Sequence, residues 1–184
     1  MSLNKTTLYY ELLVLRCQRQ DRQALEELVR LFERRLLYYI RRLVDHEPDA
    51  WNILQETWLS VFESISSLRQ PRLLAVWLYG IARRRAMDYR RGQYRDRLSF
   101  RDEETMAEVP DDRGRIDTDD IRLVHRAIEL LSPAHREVLT LFFLEEMSLE
   151  AIAAIVGASV GTVKSRLFYA KQKLKILIEK GDNP

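Results

Sequence analysis

A short segment near the C-terminus concentrates basic and hydrogen-bonding side chains that could bind a nucleic acid. Residues 162–180 carry six Lys or Arg and one acid, a net charge of +5. Such cations neutralise phosphates, and hydroxyl and guanidinium groups can bond to base edges in a major groove. The segment therefore predicts a DNA-binding helix, whose candidate contact residues are Thr162, Lys164, Ser165, Arg166, Phe168, Tyr169, Lys171 and Lys173.

Capping signals define the two helices that must position this segment. Ser148 is suited to cap a first helix, Gly157 to end it in the left-handed conformation, and Ser159 to cap a second helix. Val163 and Leu167 belong to an apolar stripe on that second helix. The pattern predicts a helix–turn–helix whose second helix enters a major groove. An ordinary helical hairpin with a solvated basic face is the alternative.

A second basic segment interleaves aromatic and arginine side chains within a predicted helix at 73–94. Seven arginines fall within residues 83–97, close to Trp77 and Tyr89. Aromatic rings can stack on bases at ~1–3 kcal/mol per base while guanidinium groups follow the phosphates. The mixture favours single-stranded or melted DNA, unless Trp77 is a core residue and the arginines form a solvated face.

The predicted helix at 49–65 has a polar outer face without basic residues. Asp49, Asn52, Gln55 and Glu56 lie on it. DNA would repel this acidic face, so a protein partner is favoured over DNA, with a solvated face as the alternative.

Helical periodicity and charge predict an all-α fold of two small helical domains joined by a flexible acidic linker. We place the N-terminal domain at 1–98, the linker at 99–120, and the C-terminal domain with its helix–turn–helix at 121–184. Residues 66–101 have a net charge of +8, whereas residues 102–120 have a net charge of −7. The first domain begins with a helix whose apolar pattern is Leu8, Leu12 and Leu15, and continues with helices at 24–43, 49–65 and 73–94.

The composition argues against several other classes of protein. Cys17 is the single cysteine, so no disulfide framework or thiolate metal cluster is expected, and it suits a small apolar core position. The three histidines are scattered without a metal-ligand spacing, and no P-loop or nucleophile elbow is present. No apolar run reaches the ~18 residues of a membrane span. We expect a cytoplasmic protein that is not an enzyme and needs no cofactor or metal.

Four segments in this order resemble the extracytoplasmic-function (ECF) group of bacterial RNA polymerase sigma factors. They are residues 24–32, 49–58, 77–85 and 131–173, of which the sequence VGTVKSR from Val160 is the most specific. The resemblance implies a sigma factor that binds core polymerase, through the β′ clamp helices and β, and recognises promoter −10 and −35 elements. A conventional helix–turn–helix regulator bound to operator duplex is the alternative. An anti-sigma factor is a further possible partner that the resemblance implies.

The resemblance also assigns roles to positions. Asp49, Asn52, Gln55 and Glu56 would bind β′, and the segment 66–72, here named the connector, would capture a base flipped out of the −10 element. The basic segment at 162–180 would read the −35 element. The positions implied for −10 recognition and melting are Ser67, Arg69, Arg72, Trp77, Arg83, Arg84, Arg85, Tyr89, Arg90 and Arg91.

Three positions depart from the common pattern of that group. Arg84 stands where many members have Asn, and Gly80 replaces a frequent basic residue, which affects the expected −10 preference. Tyr169 occupies a position where Arg is frequent. Since Tyr cannot form the bidentate contact that Arg makes to guanine, a different −35 sequence is expected.

Overall fold

The computed structural model describes residues 5–44, 46–99 and 119–181, in which all regular elements are helical, as predicted. Contacts divide the chain into two compact units, Met1–Ser99 and Phe100–Pro184. The elements are α1 (Lys5–Gln18), α2 (Arg22–Arg41), α3 (Glu47–Ser64), α4 (Leu74–Ser99), α5 (Asp119–Glu129), α6 (Pro133–Phe143), α7 (Leu149–Val156) and α8 (Val160–Gly181), with two short 3-10 turns at Ile65–Ser67 and Pro71–Leu73.

The core of the first unit lies between α2, α3 and α4. Phe32 and Tyr39 of α2 are fully buried, and the Tyr39 ring meets the Tyr79 ring edge-to-face at 5.1 Å. The helical spacing of apolar residues at 49–65 predicts an inner face for α3, and the structure confirms it: the buried residues are Ala50, Leu54, Thr57, Trp58 and Val61, followed by Ile65. Packed aromatic rings of this kind contribute beyond the area that they bury.

The first helix presents the opposite face from the one predicted. Leu8, Leu12 and Leu15 are 47%, 55% and 48% exposed, whereas Leu13, Val14 and Cys17 are buried. Apolar residues occur all around α1, so spacing alone selected the wrong stripe, and α1 uses the other side against α2 and the 3-10 turns. Cys17 is a core residue as predicted, and burial raises the pKa of its thiol to about 11.

The second unit packs α5 and α6 against the helix–turn–helix pair. Ile128, Leu131, Leu139 and Ala170 form a buried cluster. The sequence pattern predicts a helix at 133–145, but α6 ends at Phe143, and Glu146 beyond it adopts a left-handed conformation with φ of 51°. The Met147 N–H then donates to the Leu141 carbonyl at 3.1 Å, closing the helix end.

Two boundaries around the predicted linker also differ. The fourth helix continues to Ser99 instead of about residue 94, and α5 begins at Asp119 instead of 121. Residues 100–118, most of the predicted linker, lie outside the described residues.

None of the described helices is by itself long and apolar enough to cross a membrane. Leu149–Val156 and Val160–Glu179 satisfy that length and composition only as a pair, which is bent by 101°.

Candidate nucleic-acid interface

Local hydrogen bonds set the geometry of the helix–turn–helix. The Ser148 hydroxyl accepts a bond from the Ala151 N–H at 3.1 Å, and the Ser159 hydroxyl accepts one from the Thr162 N–H at 3.1 Å. Gly157 ends α7 with φ of 65°, a left-handed conformation that glycine adopts without a Cβ penalty. Both caps and the turn glycine are therefore confirmed, and they fix where α8 begins.

The buried stripe of α8 leaves most of the predicted DNA-contacting side chains on the outside. Val163, Leu167 and Ala170 are buried. The exposed members of the predicted set are Thr162, Lys164, Ser165, Phe168, Tyr169, Lys171 and Lys173, and Arg166 is half-buried.

An aromatic pair stands at the outer surface of α8. Phe168 and Tyr169 are 57% and 58% exposed, and their rings meet at 5.5 Å with an interplanar angle of 77°. Lys171 lies at the edge of the same helix, where its ammonium group is 5.2 and 5.0 Å from the ring centroids of Phe142 and Phe143. Lys171 is thus already engaged by α6 through cation–π contacts.

The arginines of α4 are divided between solvent and the fold. Arg84, Arg90 and Arg91 are exposed, with Arg91 ion-paired to Asp88. Arg85 instead donates to the Ser60 hydroxyl of α3 from both Nε and Nη2, at 3.0 and 2.6 Å. This contact between α3 and α4 could not be read from periodicity, because it joins residues 25 positions apart.

Three further predicted −10 residues of α4 are partly inside the unit. Trp77 and Arg83 are half-buried. Tyr89 is half-buried too, and its hydroxyl contacts the side chains of Asp49 and Gln93. Burial, followed by the hydrogen bond to Asp49, raises the pKa of Tyr89. The structure therefore brings Asp49 and Tyr89, predicted for different partners, into one contact.

The connector places its polar side chains outward. Ser67, Arg69 and Arg72 are exposed. The Ser67 hydroxyl donates to the Ser64 carbonyl at 2.7 Å, and Arg72 Nη2 lies 3.4 Å from Gln70 Oε1. Leu68 and Leu74 are buried and anchor this segment to the unit.

The outer face of α3 combines polar side chains with apolar ones. Asn52, Gln55 and Glu56 are exposed and Asp49 is half-buried. Leu59 is 62% exposed and lies four residues after Gln55, on the same face. The sequence interpretation missed Leu59 because it considered only the polar members; the spacing of Asn52, Gln55 and Leu59 was the signal that would have found it.

The two units thus define a helical protein with a helix–turn–helix, an arginine-bearing helix and a separate acidic, partly apolar helix face. Among the described residues, no group of three or more His, Cys, Asp or Glu is placed to hold a metal ion. Nucleic-acid binding together with protein binding fits these surfaces.

Comparison with known proteins identifies the class more narrowly. Residues 28–96 match the family described as Sigma-70 region 2, and residues 121–174 match Sigma-70, region 4. The chain is 32% identical over 139 residues to RNA polymerase sigma factor SigV of Bacillus subtilis, covering 76% of this chain and 81% of SigV. It is 29% identical over 175 residues to the ECF RNA polymerase sigma-E factor of Escherichia coli K12, covering 89% and 91% of the two chains.

A solved structure supports the same family assignment. The sigma factor RpoE of Bartonella quintana, crystallised with the anti-sigma factor NepR, superposes with a TM-score of 0.70 at 26% identity, over 84% of this chain and 96% of that one. The chain belongs to the ECF group of RNA polymerase sigma factors. It directs transcription initiation by binding core polymerase and promoter DNA, and the conventional regulator is not favoured, since the region 2 match covers residues 28–96.

Proposed function

We propose that separate surfaces of this protein bind core polymerase and promoter DNA. The outer face of α3, with Asn52, Gln55 and Glu56, binds core polymerase through the β′ clamp helices. Opposite charges on separate helices support this division: the α3 face carries acids, and α4 carries exposed arginines such as Arg84 and Arg90. DNA attracts the second surface and repels the first.

The proposed domains follow from the same division. Residues 1–98 bind core polymerase and recognise and melt the −10 element, residues 121–184 read the −35 element, and residues 99–120 join them. The exposed connector supplies the pocket for a flipped −10 base, which must offset a few kcal/mol of unstacking.

Within α4, the exposed arginines are the stronger candidates for DNA phosphates. Arg84, Arg90 and Arg91 face solvent, whereas Arg85 and Tyr89 have partners within the unit. We infer that Arg85 and Tyr89 act mainly by holding α4 against α3.

The α8 surface supports −35 recognition by its N-terminal half. Thr162, Ser165 and Tyr169 are exposed at the start of a capped helix, the part of a recognition helix that reaches base edges. Lys173 is exposed farther along and suits a phosphate contact.

The family consists of non-enzymatic initiation factors, and we propose that this chain likewise leaves RNA synthesis to the polymerase and acts in the cytoplasm. Because RpoE was crystallised with the anti-sigma factor NepR, we further propose that an anti-sigma factor controls this protein by covering its polymerase-binding and promoter-binding surfaces.

Run-off transcription from a pooled promoter library, with core polymerase and with or without this protein, tests the proposed function. Transcripts that depend on the protein should come from templates sharing two elements at a fixed spacing. A protein that shifts a duplex in a gel but starts no transcript would contradict the proposal.

The division of labour is tested by two charge variants. Glu56→Arg reverses a charge at the proposed polymerase surface and should weaken core binding about tenfold or more, since like charges across an interface are costly. Arg166→Ala should weaken promoter binding by about 1–3 kcal/mol while core binding is retained. Fluorescence anisotropy with labelled core and labelled −35 duplex measures both.

The matched controls are Glu26→Arg on α2 and Arg126→Ala on α5, both at exposed positions. Neither should change either affinity by more than about twofold, as expected of surface positions away from an interface. If Glu56→Arg affected only DNA binding, the proposed polymerase surface would be wrong.

A further inference from the structure

The side chain of Gln18, the last residue of α1, spans the turn that opens the connector. Its Nε2 donates to the Ile65 carbonyl at 3.1 Å and to the Leu68 carbonyl at 2.9 Å. These bonds bridge 47 and 50 positions of sequence, and both are partly buried. No local sequence signal predicts them.

An uncharged amide suits the chemistry of this contact. Both partners are carbonyl oxygens that only accept, and a glutamine NH2 group supplies two donors. A carboxylate of the same shape would set a negative charge against two oxygens, and an aliphatic side chain would leave the carbonyls without these bonds. The residue type at position 18 is therefore matched to the turn.

The turn at 65–68 has buried residues at both ends and exposed residues in the middle. Ile65 and Leu68 are buried, and the Leu68 N–H donates to the Ile65 carbonyl at 3.2 Å. Ser66 and Ser67 lie between these two residues and are exposed. Gln18 thus fixes the backbone of a turn whose two central residues, Ser66 and Ser67, are exposed.

We infer that Gln18 is a positioning residue for −10 selectivity, although it does not contact DNA itself. The inference rests on the proposed role of the connector as the pocket for a flipped base. A pocket can offset the unstacking of a base only if its groups are already in place, because ordering them on binding would consume part of the gain. By tying the Ile65–Leu68 backbone to α1, Gln18 supplies that order.

The test uses holoenzyme reconstituted from core polymerase and the full chain, on a library with a fixed −35 element and a randomised −10 element. Gln18→Leu removes the two donors and keeps an aliphatic volume; Gln18→Glu opposes the carbonyls with charge. Wild type should prefer one base about tenfold at the captured position, the scale of a single mismatch. Both variants should reduce that preference to about threefold or less, at that position alone.

The matched control is Gln23→Glu, the same substitution at an exposed position of α2, which should leave the −10 preference unchanged. A second readout places 2-aminopurine at the captured base, whose fluorescence rises when the base leaves the stack. Gln18→Leu should lower that signal at saturating DNA, whereas a purely structural role would leave it unchanged in the folded fraction.

Two outcomes would overturn the inference on Gln18: a uniform loss of transcription at every −10 sequence, or an unchanged preference in both variants. Ser67→Ala and Arg69→Ala separate it from the proposed function. If these connector variants alter the −10 preference while Gln18→Leu does not, only the role of Gln18 fails. If they leave the preference unchanged, the connector does not read the −10 element and the proposed function fails there.

Discussion

The aromatic pair of α8, Phe168 and Tyr169, bears on the −35 sequence that we propose this helix to read. Phe168 and Tyr169 are exposed beside Lys164 and Ser165, and their rings meet edge-to-face. An apolar ring contacts a thymine methyl group favourably, whereas the bidentate contact to guanine requires a guanidinium or ammonium group. At the level of single residues, therefore, we expect thymine to be favoured over guanine opposite the pair, if α8 reads the −35 element as proposed.

Replacing thymine by uracil in the −35 element tests this preference by deleting one methyl group. At the position under the pair, uracil should weaken binding of wild-type protein by about two- to fivefold, the transfer free energy of roughly one methyl group. Phe168→Ala should abolish that difference. Anisotropy on matched duplexes measures it, and an equal uracil effect in both proteins would contradict the thymine contact.

A gain of guanine preference is expected for Tyr169→Arg, because Arg can bond to guanine O6 and N7. Selection from a randomised −35 library should enrich guanine at one position by about tenfold relative to wild type. Tyr94→Arg is the control: Tyr94 is exposed on α4, so the added charge should raise overall DNA affinity without altering the −35 preference.

At the scale of elements, local signals and long-range contacts differ in what the sequence can predict. The ends of α7 and the start of α8 were predictable, because Ser148, Gly157 and Ser159 act within three or four residues of themselves. The buried face of α3 was predictable from spacing. For α1 the sequence predicted the wrong buried face, since apolar residues at helical spacing occur on both faces of this helix.

The sequence predicted which residue types form the candidate site, but it did not predict the contacts between their side chains. Lys173 and Arg84 are exposed as a DNA-binding role requires. The bonds from Arg85 to Ser60, from Tyr89 to Asp49 and from Gln18 to the connector join separate helices, and a one-dimensional pattern carries no information on such pairs.

Comparing Arg85 with its neighbour Arg84 tests whether the Arg85 contact stabilises the packing of α4 on α3. Arg85→Ala removes both bonds to Ser60 and should lower the free energy of unfolding by about 1–2 kcal/mol. Arg84→Ala, at an exposed position, should change it by less than about 0.5 kcal/mol while weakening −10 binding.

Urea unfolding of the full chain, followed by Trp fluorescence, measures this difference, because all three tryptophans lie in the first unit. Ser60→Ala should reproduce most of the Arg85→Ala loss, and the double variant should cost little more than either single one. Strict additivity of the two losses would show that Arg85 and Ser60 do not act together.

At the scale of the whole molecule, charge alternates along the chain although the total is only +2. The basic residues 66–101 precede an acidic run at 102–120, and basic residues 162–180 follow it. Each basic surface attracts the same polyanion, and the acidic run opposes that attraction over a Debye length of ~10 Å at 0.1 M salt. We therefore expect the alternation to limit non-specific DNA binding by the free protein.

Replacing acids by amides within residues 102–120 tests whether the acidic run lowers non-specific DNA binding. Changing Asp102 to Asn and Glu103, Glu104 and Glu108 to Gln raises the formal net charge from +2 to +6. Non-specific duplex affinity of the free protein at ~50 mM salt should then rise about three- to tenfold, and the gain should vanish near ~0.5 M salt because such interactions are screened. The control exchanges Asp and Glu at the same four positions and keeps every charge. Because length and charge are preserved in the control, its affinity for duplex DNA should equal that of wild type. An equal rise in affinity in both variants would show that the altered side chains, and not the lost charge, cause the effect, which would contradict the electrostatic argument.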